Sequence, residues 1–380
     1  MSGRALALLA LFFAVAACAS PGTGAAARAW YSGDRGRAKG ELEAQLADDE
    51  EGRALYLNEL GVLALEQRDL AAALRLFTEA GQIMGAFGGS RSDALGAIVG
   101  SEASKQWRGD PYERAMNAYY LGIVNYLLGV HDNALAGFKN AIFNDSGQGD
   151  ESYDCDFAPA FFLEGLCYRQ LGDPDMAERS FAAARKLAPA GTALAAETRG
   201  NVVVVVDVGR GPQKVNVGSH GEQTRFVADA STPGVIEVLA GGAVVGTTSR
   251  AGDLYFQATT RGGRAFDSIL DTKSAVKTGT QVAGMGALLI ADDLPRKHQG
   301  GALLAGAALL LTSLAVDAKA DTRCWNSLPN EVQLLRLELP PGTHEVEIRP
   351  SAGWRVAGPV TQTVTVPLQG DALVYQRVLR

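Results

Sequence analysis

Apolar side chains recur at helical spacing from Glu41 to about Ala196. Intervals of three and four residues place such side chains on one face of a helix. At Gly200 the pattern changes to the β-branched run NVVVVVDV, which is closed by Gly-Arg-Gly-Pro and predicts a buried strand and a turn. We therefore expect an α+β multidomain chain with a helical region over 41–199 and a β-rich region over 200–380.

The helical region contains three self-similar segments. The clearest, PAFFLEGLCYRQLGDPDMAERSFAAARKLAP, resembles a tetratricopeptide repeat (TPR). The positions that match the family pattern are Phe161, Gly165, Tyr168, Gly172, Ala177, Phe181, Ala184 and Pro189. Two further copies lack the closing proline but supply Leu57, Leu60, Gly61, Ala73, Phe77 and Ala80, and Leu121, Gly122, Gly129, Ala134, Phe138 and Ala141. The uneven spacing of the glycines at 61, 122 and 165 predicts an irregular array, with an additional helix over 91–106.

The TPR resemblance implies a concave face that binds peptides or protein segments. Carried over position by position, that face comprises Asn58, Val62, Glu66, Tyr119, Ile123, Tyr126, Phe162, Leu166 and Arg169. Tyr119 and Tyr126 are the strongest candidates because rigid amphipathic rings are favoured at contact centres. The alternative for both is packing against a neighbouring helix.

Three segments of the C-terminal region predict strands around turns. VIEVLAGGAVVGTTSR predicts a hairpin at Gly241-Gly242, and VQLLRLELPPGTHEVEIR predicts two strands joined by Pro340-Pro341-Gly342. TQTVTVPLQGDALVYQRVL predicts a further pair turning at Gln369-Gly370-Asp371. One or two buried apolar helices are expected between these groups, and the candidates lie at about 266–290 and 301–320.

The segment ALLAGAALLLTSLAV, Ala302 to Val316, raises the question of a membrane span. It is shorter than the roughly twenty residues that a spanning helix needs, and Thr312 and Ser313 interrupt it. We interpret it as a helix buried against the C-terminal sheet, with membrane contact as the alternative.

The chain begins with the features of a secretory signal, namely a charged Arg4 and an apolar run to Ala17. Val-Ala-Ala before Cys18 resembles the bacterial lipobox, which implies acylation of Cys18 after removal of 1–17; a plain signal peptide is the alternative. Ala19 stands where aspartate would signal inner-membrane retention in enterobacteria. We thus expect a lipid anchor at the periplasmic face of the outer membrane, followed by a flexible tether over 18–40.

Charge and composition exclude some classes of function. The net charge of −7 over 380 residues disfavours nucleic acid as a partner. The four cysteines form no CxxC pair and the four histidines are scattered, so we expect no metal and no cofactor. Cys155, Cys167 and Cys324 suit small buried apolar positions, although pairing of Cys155 with Cys167 stays open.

A longer resemblance rests on Asp321-Thr322-Arg323, Trp325, Leu328-Pro329, Arg336 and the Leu-Pro-Pro-Gly turn with His344, behind a TPR array and a lipobox. Together these resemble a family of bacterial TPR-containing outer-membrane lipoproteins that has no assigned biochemical activity. Some members are encoded beside lipoproteins similar to activators of penicillin-binding proteins. The resemblance implies, by association, a role in cell-envelope or peptidoglycan assembly.

Two functions follow from these observations. The first is a non-enzymatic, lipid-anchored adaptor that binds envelope proteins through its TPR-like helices. The alternative is a small-molecule or glycan-binding protein or enzyme with a pocket in the C-terminal region, for which the candidate residues are Asp321, Arg323, Trp325, Arg336 and His344. An Asp321 to Arg323 pair suits fixing a loop equally well.

Overall fold

The computed structural model describes residues 23–85, 106–145, 155–192, 194, 200–217, 223–261 and 321–380. Its helices are α1 (Gly24–Tyr31), α2 (Arg35–Asp48), α3 (Arg53–Glu66), α4 (Leu70–Gly85), α5 (Pro111–Leu127), α6 (His131–Asp145), α7 (Ala158–Gln170), α8 (Pro174–Leu187) and α9 (Leu254–Arg261). Its strands are β1 (Val202–Val208), β2 (Gln213–Val217), β3 (Gln223–Val227), β4 (Ile236–Ala240), β5 (Ala243–Thr247), β6 (Ser249–Asp253), β7 (Glu331–Leu337), β8 (Gly342–Pro350), β9 (Arg355–Ala357), β10 (Thr361–Val366) and β11 (Ala372–Leu379).

Several predictions fall outside these ranges: the signal peptide and lipobox with Cys18, the helix at 91–106, and the helices at 266–290 and 301–320, which include ALLAGAALLLTSLAV. Within the described part of the chain, no helix combines the length and apolarity needed to cross a bilayer.

The three predicted repeats are three helical hairpins, α3 with α4, α5 with α6, and α7 with α8. In each, the first helix carries a glycine against which a phenylalanine of the second helix packs. A Cβ added at Gly61, Gly122 or Gly165 would come within 2.6 Å of a ring atom of Phe77, Phe138 or Phe181, respectively. This repeated contact confirms the helical array and explains why glycine stands at these positions.

The tether predicted over 18–40 is wrong from Gly24 onward, where α1 and the start of α2 are helical. Small residues in this stretch are not a sign of flexibility. Alanine is the best helix former, and Ala26, Ala29 and Trp30 form an apolar face that is buried against the rest of the molecule.

The C-terminal region is built around two packed sheets. One has the strand order β6-β7-β1-β11-β9 and the other β10-β8-β4-β5, while β2 and β3 form a separate pair. β1 is central, parallel to β11 and antiparallel to β7. All seven of its residues are buried, as expected for a strand covered on both faces.

Alternate residues of β1 belong to two different cores. Val204 and Val206 face the four-stranded sheet, whereas Val203 and Val205 join the core formed with the helical array. The described residues therefore form three layers: helices, the five-stranded sheet and the four-stranded sheet. Helices and the first sheet share one core, and do not form two separately packed domains.

The hairpin predicted at Gly241-Gly242 is confirmed by the pairing of β4 with β5, and both glycines have positive φ (56° and 81°). The other two predicted strand pairs exist as strands but are not hairpins. β7 and β8 lie in different sheets, as do β10 and β11. Each connection crosses from one sheet to the other, so that the apolar faces of both sheets are buried against each other.

Cys155, Cys167 and Cys324 are buried and form no disulfide among the described residues, as expected for small apolar side chains. Burial raises the pKa of the Cys167 thiol to about 12.

Candidate functional site

The concave face of the helical array is filled by the chain itself. Asn58, Val62, Glu66, Tyr119, Ile123, Tyr126, Phe162 and Leu166 are all buried, and Arg169 is partly buried. Their contacts are with neighbouring helices, with α1 and with the C-terminal region. Trp30 Nε1, for example, donates to Glu66 Oε2 at 3.0 Å, and Asn117 Nδ2 donates to Asn58 Oδ1 at 2.8 Å. That these residues contact an external partner remains a prediction.

Two predicted residues of the array reach the turn before β11. Arg169 Nε donates to Asp371 Oδ2 at 2.6 Å, and its Nη2 contacts the other carboxylate oxygen. Tyr126 Oη donates to the Asp371 carbonyl oxygen at 3.2 Å. Arg336 lies 4.0 Å from the same carboxylate. Burial is the main cause that lowers the pKa of Arg336 to about 10, and repulsion from the Arg169 guanidinium is the second.

Two buried glutamates hold the segment Cys324–Ser327 inside the concave face. Glu113 Oε1 accepts the backbone N–H of Trp325 at 2.7 Å, and Glu59 accepts those of Asn326 and Ser327 at 2.7 and 3.1 Å. Burial raises the pKa of each carboxyl to about 7, although the hydrogen bonds oppose this shift. Trp325 is thereby fixed between Phe77 and Tyr120, with ring centroids 6.1 and 5.6 Å away.

The buried Lys214 of β2 lies beside the same segment. Its Nζ is 2.7 Å from Asp110 Oδ2 and donates to the Arg323 carbonyl oxygen at 3.3 Å. Burial opposes the charged form of Lys214, but the neighbouring Asp110 and Glu113 outweigh this effect and raise its pKa. The positive charge of Lys214 is thus paired with the carboxylates of Asp110 and Glu113 beside the Cys324–Ser327 segment.

A further buried carboxylate, that of Asp207 in β1, joins the helices and the sheet. Tyr120 Oη donates to Asp207 Oδ2 at 2.6 Å and Tyr375 Oη donates to the same atom at 2.9 Å. Arg377 lies 3.8 Å away and donates to the carbonyl oxygens of Gly209 and Leu328. Burial raises the pKa of Asp207.

The five C-terminal candidates occupy separate places. Asp321 and Arg323 form an ion pair in the segment before β7, with Nη2 2.7 Å from Oδ2. Trp325 is buried in the concave face. Arg336 points to Asp371 and donates to the Gly200 carbonyl oxygen, whereas His344 Nε2 lies 2.7 Å from the Pro340 carbonyl oxygen at the Pro-Pro-Gly turn. These positions do not form a single pocket.

A cleft of about 510 Å³ lies where helices and sheets meet. We call it the junction cleft. Its lining includes Arg68, Gly129 and His131 from the helical turns, residues 361–365 of β10, and residues 371–373 at the entry to β11. The side chain of Gln362 in β10 reaches β11 in the other sheet, where its Nε2 donates to the Tyr375 carbonyl oxygen at 3.0 Å.

Arg68 is the exceptional residue of this cleft. It follows Gly61 by seven positions, as Gly129 follows Gly122 and Gly172 follows Gly165, and all three turn residues have positive φ (63°, 77° and 80°). A side chain in the left-handed conformation costs roughly 1–2 kcal/mol relative to glycine. The first repeat therefore carries an arginine in a backbone conformation for which the other two use glycine.

The site residues predicted from the sequence do not include Glu59, Glu113, Asp207, Arg377 or Arg68. A signal was present for Asp207, because a carboxylate within VVVVVDV must be paired if the strand is buried on both faces. The other four have no such signal, since their partners are far away along the chain.

No protein-family model matches this chain, and no curated protein is found to be similar. Among solved structures, a crystal structure of MamA is 16% identical with a TM-score of 0.29, covering 42% of this chain and 72% of that chain. MamA from AMB-1 is 18% identical with a TM-score of 0.30, covering 44% and 76%. BtubC from P. vanneervenii is 19% identical with a TM-score of 0.32, covering 43% of this chain and 61% of that one. At these TM-scores the likeness indicates neither family nor function.

Proposed function

We propose that the protein is a non-enzymatic adaptor, attached through lipid on Cys18 to the periplasmic face of the outer membrane, which binds another envelope protein. A role in cell-envelope or peptidoglycan assembly belongs to the same proposal, on the family resemblance described above. The observation that carries it is the arrangement of the helical turns. The first two turns, at Arg68 and at Gly129, line the junction cleft, and the third follows Gln170, which donates to the carbonyl oxygen of the lining residue Asp371. The second and third turns expose apolar side chains to solvent: Leu128 and Val130 are each 42% exposed, and Leu171 is 40% exposed.

The concave face does not serve as the partner site in this proposal. Its side chains already pack on the five-stranded sheet and on the Cys324–Ser327 segment. Filling the array in this way supports it as a rigid frame, so that the turns keep fixed positions relative to the sheet. A partner then contacts the rim of the frame, where clustered apolar side chains are typical of interaction surfaces.

Site-specific photo-crosslinking in living cells tests this function. A crosslinking residue placed at Leu128 or Leu171 should yield adducts with one envelope protein, identified by mass spectrometry. The control positions are Lys39, which is exposed on α2 and does not line the junction cleft, and Tyr119, which is buried. Cys18→Ala should release the protein from the membrane fraction. The adaptor proposal fails if Leu128 and Leu171 give the same adducts as Lys39, or none.

A further inference from the structure

We propose that the junction cleft is a binding site for an extended segment of a partner protein, which pairs with the outer edge of β10 and places a carboxylate on Arg68. This inference rests on the proposed adaptor function and names the partner's chemistry. Four observations carry it: the free edge of β10, the free start of β11, the unpaired charge of Arg68, and the apolar rim.

The outer edge of β10 faces the cleft. β10 is the edge strand of the four-stranded sheet and pairs only with β8 among the described strands. Because the carbonyl oxygen of Val360 accepts from Ile348 of β8, alternation directs the N–H and C=O groups of Thr361, Thr363 and Thr365 away from β8. An edge of this kind is a template for an added strand.

The start of β11 is open on the same side. Ala372 donates to Asn201 on the β1 side, so the next residue, Leu373, directs its backbone groups the other way. β9, which is only three residues long, pairs with Arg377–Leu379 and does not reach Leu373. Between Leu373 and the residues paired with β9, the Tyr375 carbonyl oxygen already accepts hydrogen bonds from the side chains of Arg68 and Gln362. The cleft thus has an open strand edge on each of two walls.

Arg68 supplies the charge. Only its Nη2 makes hydrogen bonds, to Gln362 and to the Tyr375 carbonyl oxygen, and no carboxylate of the described residues lies within ion-pair distance of it. The one carboxylate in the cleft lining, Asp371, is fully buried and already held by Arg169 and Arg336. An incoming carboxylate would therefore meet an unpaired guanidinium, which binds such a group with two parallel hydrogen bonds.

The rim indicates a polypeptide and not a small free anion. Val360 before β10 and Leu368 after it are 50% and 89% exposed, and Leu128 and Val130 flank the opposite wall at Gly129. In an extended segment, successive side chains point to opposite faces. Such a segment can pair its backbone with β10, contact the rim with apolar side chains and direct an acidic one to Arg68.

Selection from a phage library of random linear peptides, against the immobilised full mature chain, tests the proposal. Selected peptides should combine alternating apolar residues with an acidic one. Arg68→Gln should weaken their binding about tenfold, the usual effect of losing one charge-assisted pair. Arg179→Gln removes the same charge from the exposed surface of α8 and should leave binding unchanged.

A second pair of variants covers the case in which Arg68→Gln loosens the fold. Thr363→Pro removes an N–H from the free edge without altering the pairing with β8, and should abolish binding; Thr363→Val keeps the N–H and should retain it. Hydrogen exchange should show that the peptide protects the amides of β10. The proposal is overturned if no peptide is selected, if binding ignores these variants, or if inorganic phosphate alone shows the Arg68 dependence without protecting β10.

The two proposals can fail separately. Crosslinks from Leu128 that persist in Thr363→Pro would leave the adaptor function standing and exclude the cleft. Peptides that bind as expected, with no crosslink in cells, would exclude the adaptor function.

Discussion

Tyr119 and Tyr120 are neighbours on α5 and both are buried, yet only one hydroxyl has a partner. Tyr120 Oη donates to Asp207, whereas Tyr119 Oη has no hydrogen bond among the described residues. A buried carboxylate depends strongly on its remaining donors, because water cannot replace them. The two residues therefore offer a matched comparison of packing and polar satisfaction.

We expect Tyr120→Phe to lower the free energy of unfolding by about 1.5–3 kcal/mol, the usual contribution of a hydrogen bond to a charged group. Tyr119→Phe removes an unsatisfied hydroxyl and should leave stability unchanged or raise it slightly. Urea denaturation of both variants measures the difference. Equal losses in the two would show that Asp207 does not depend on the hydroxyl.

At the scale of elements, the contact between α3 and the Cys324–Ser327 segment depends on protonation. Glu59 has a pKa of about 7 in the folded protein, compared with 4.5 in its ordinary state. Between these values the folded state holds the proton and the unfolded state releases it. The contribution of Glu59 to stability is therefore fully present below about pH 4.5, is lost as the pH rises to about 7, and stays constant above.

Glu59→Gln should remove this pH-dependent contribution to stability. The stability of the natural protein relative to the variant should fall by up to about 3 kcal/mol between about pH 5 and about pH 8. Urea denaturation at several pH values measures this change. If the stability of the natural protein relative to Glu59→Gln rose with pH instead, the pKa of Glu59 would not be raised by folding.

At the scale of the whole molecule, helices and sheets are expected to unfold together. Residues of α1 to α7 share one core with Val203, Val205, Trp325 and Tyr375. Separating the layers would expose the apolar side chains of both the concave face and the five-stranded sheet, which is unfavourable in proportion to the area exposed. The helical array alone would therefore expose an apolar concave face to water.

Denaturation followed by far-ultraviolet circular dichroism, which reports mainly helices, and by tryptophan fluorescence should therefore give one coincident transition. Trp325→Ala leaves a cavity at the interface and should move both signals together, by about 3–5 kcal/mol. Loss of the helical signal in a separate step would show that the array folds on its own.

The residue periodicity along the chain determined much of this protein. Together with the repeat resemblance it placed the three helical hairpins, the repeat glycines Gly61, Gly122 and Gly165, the buried β1 and the turn at Gly241-Gly242, because these follow from patterns within one repeat or one element. Composition misled at α1, where small residues were taken as a flexible tether although their spacing suits a helix.

Only the tertiary structure decided which surfaces meet. The strand pairing of β7, β8, β10 and β11 and the filling of the concave face depend on segments that are distant in sequence. Arg68 belongs to a cleft only because β10 and β11, about three hundred residues later, fold against its turn. Local pattern fixes which face of an element is apolar, but the partner that covers this face is chosen by the fit of the whole chain.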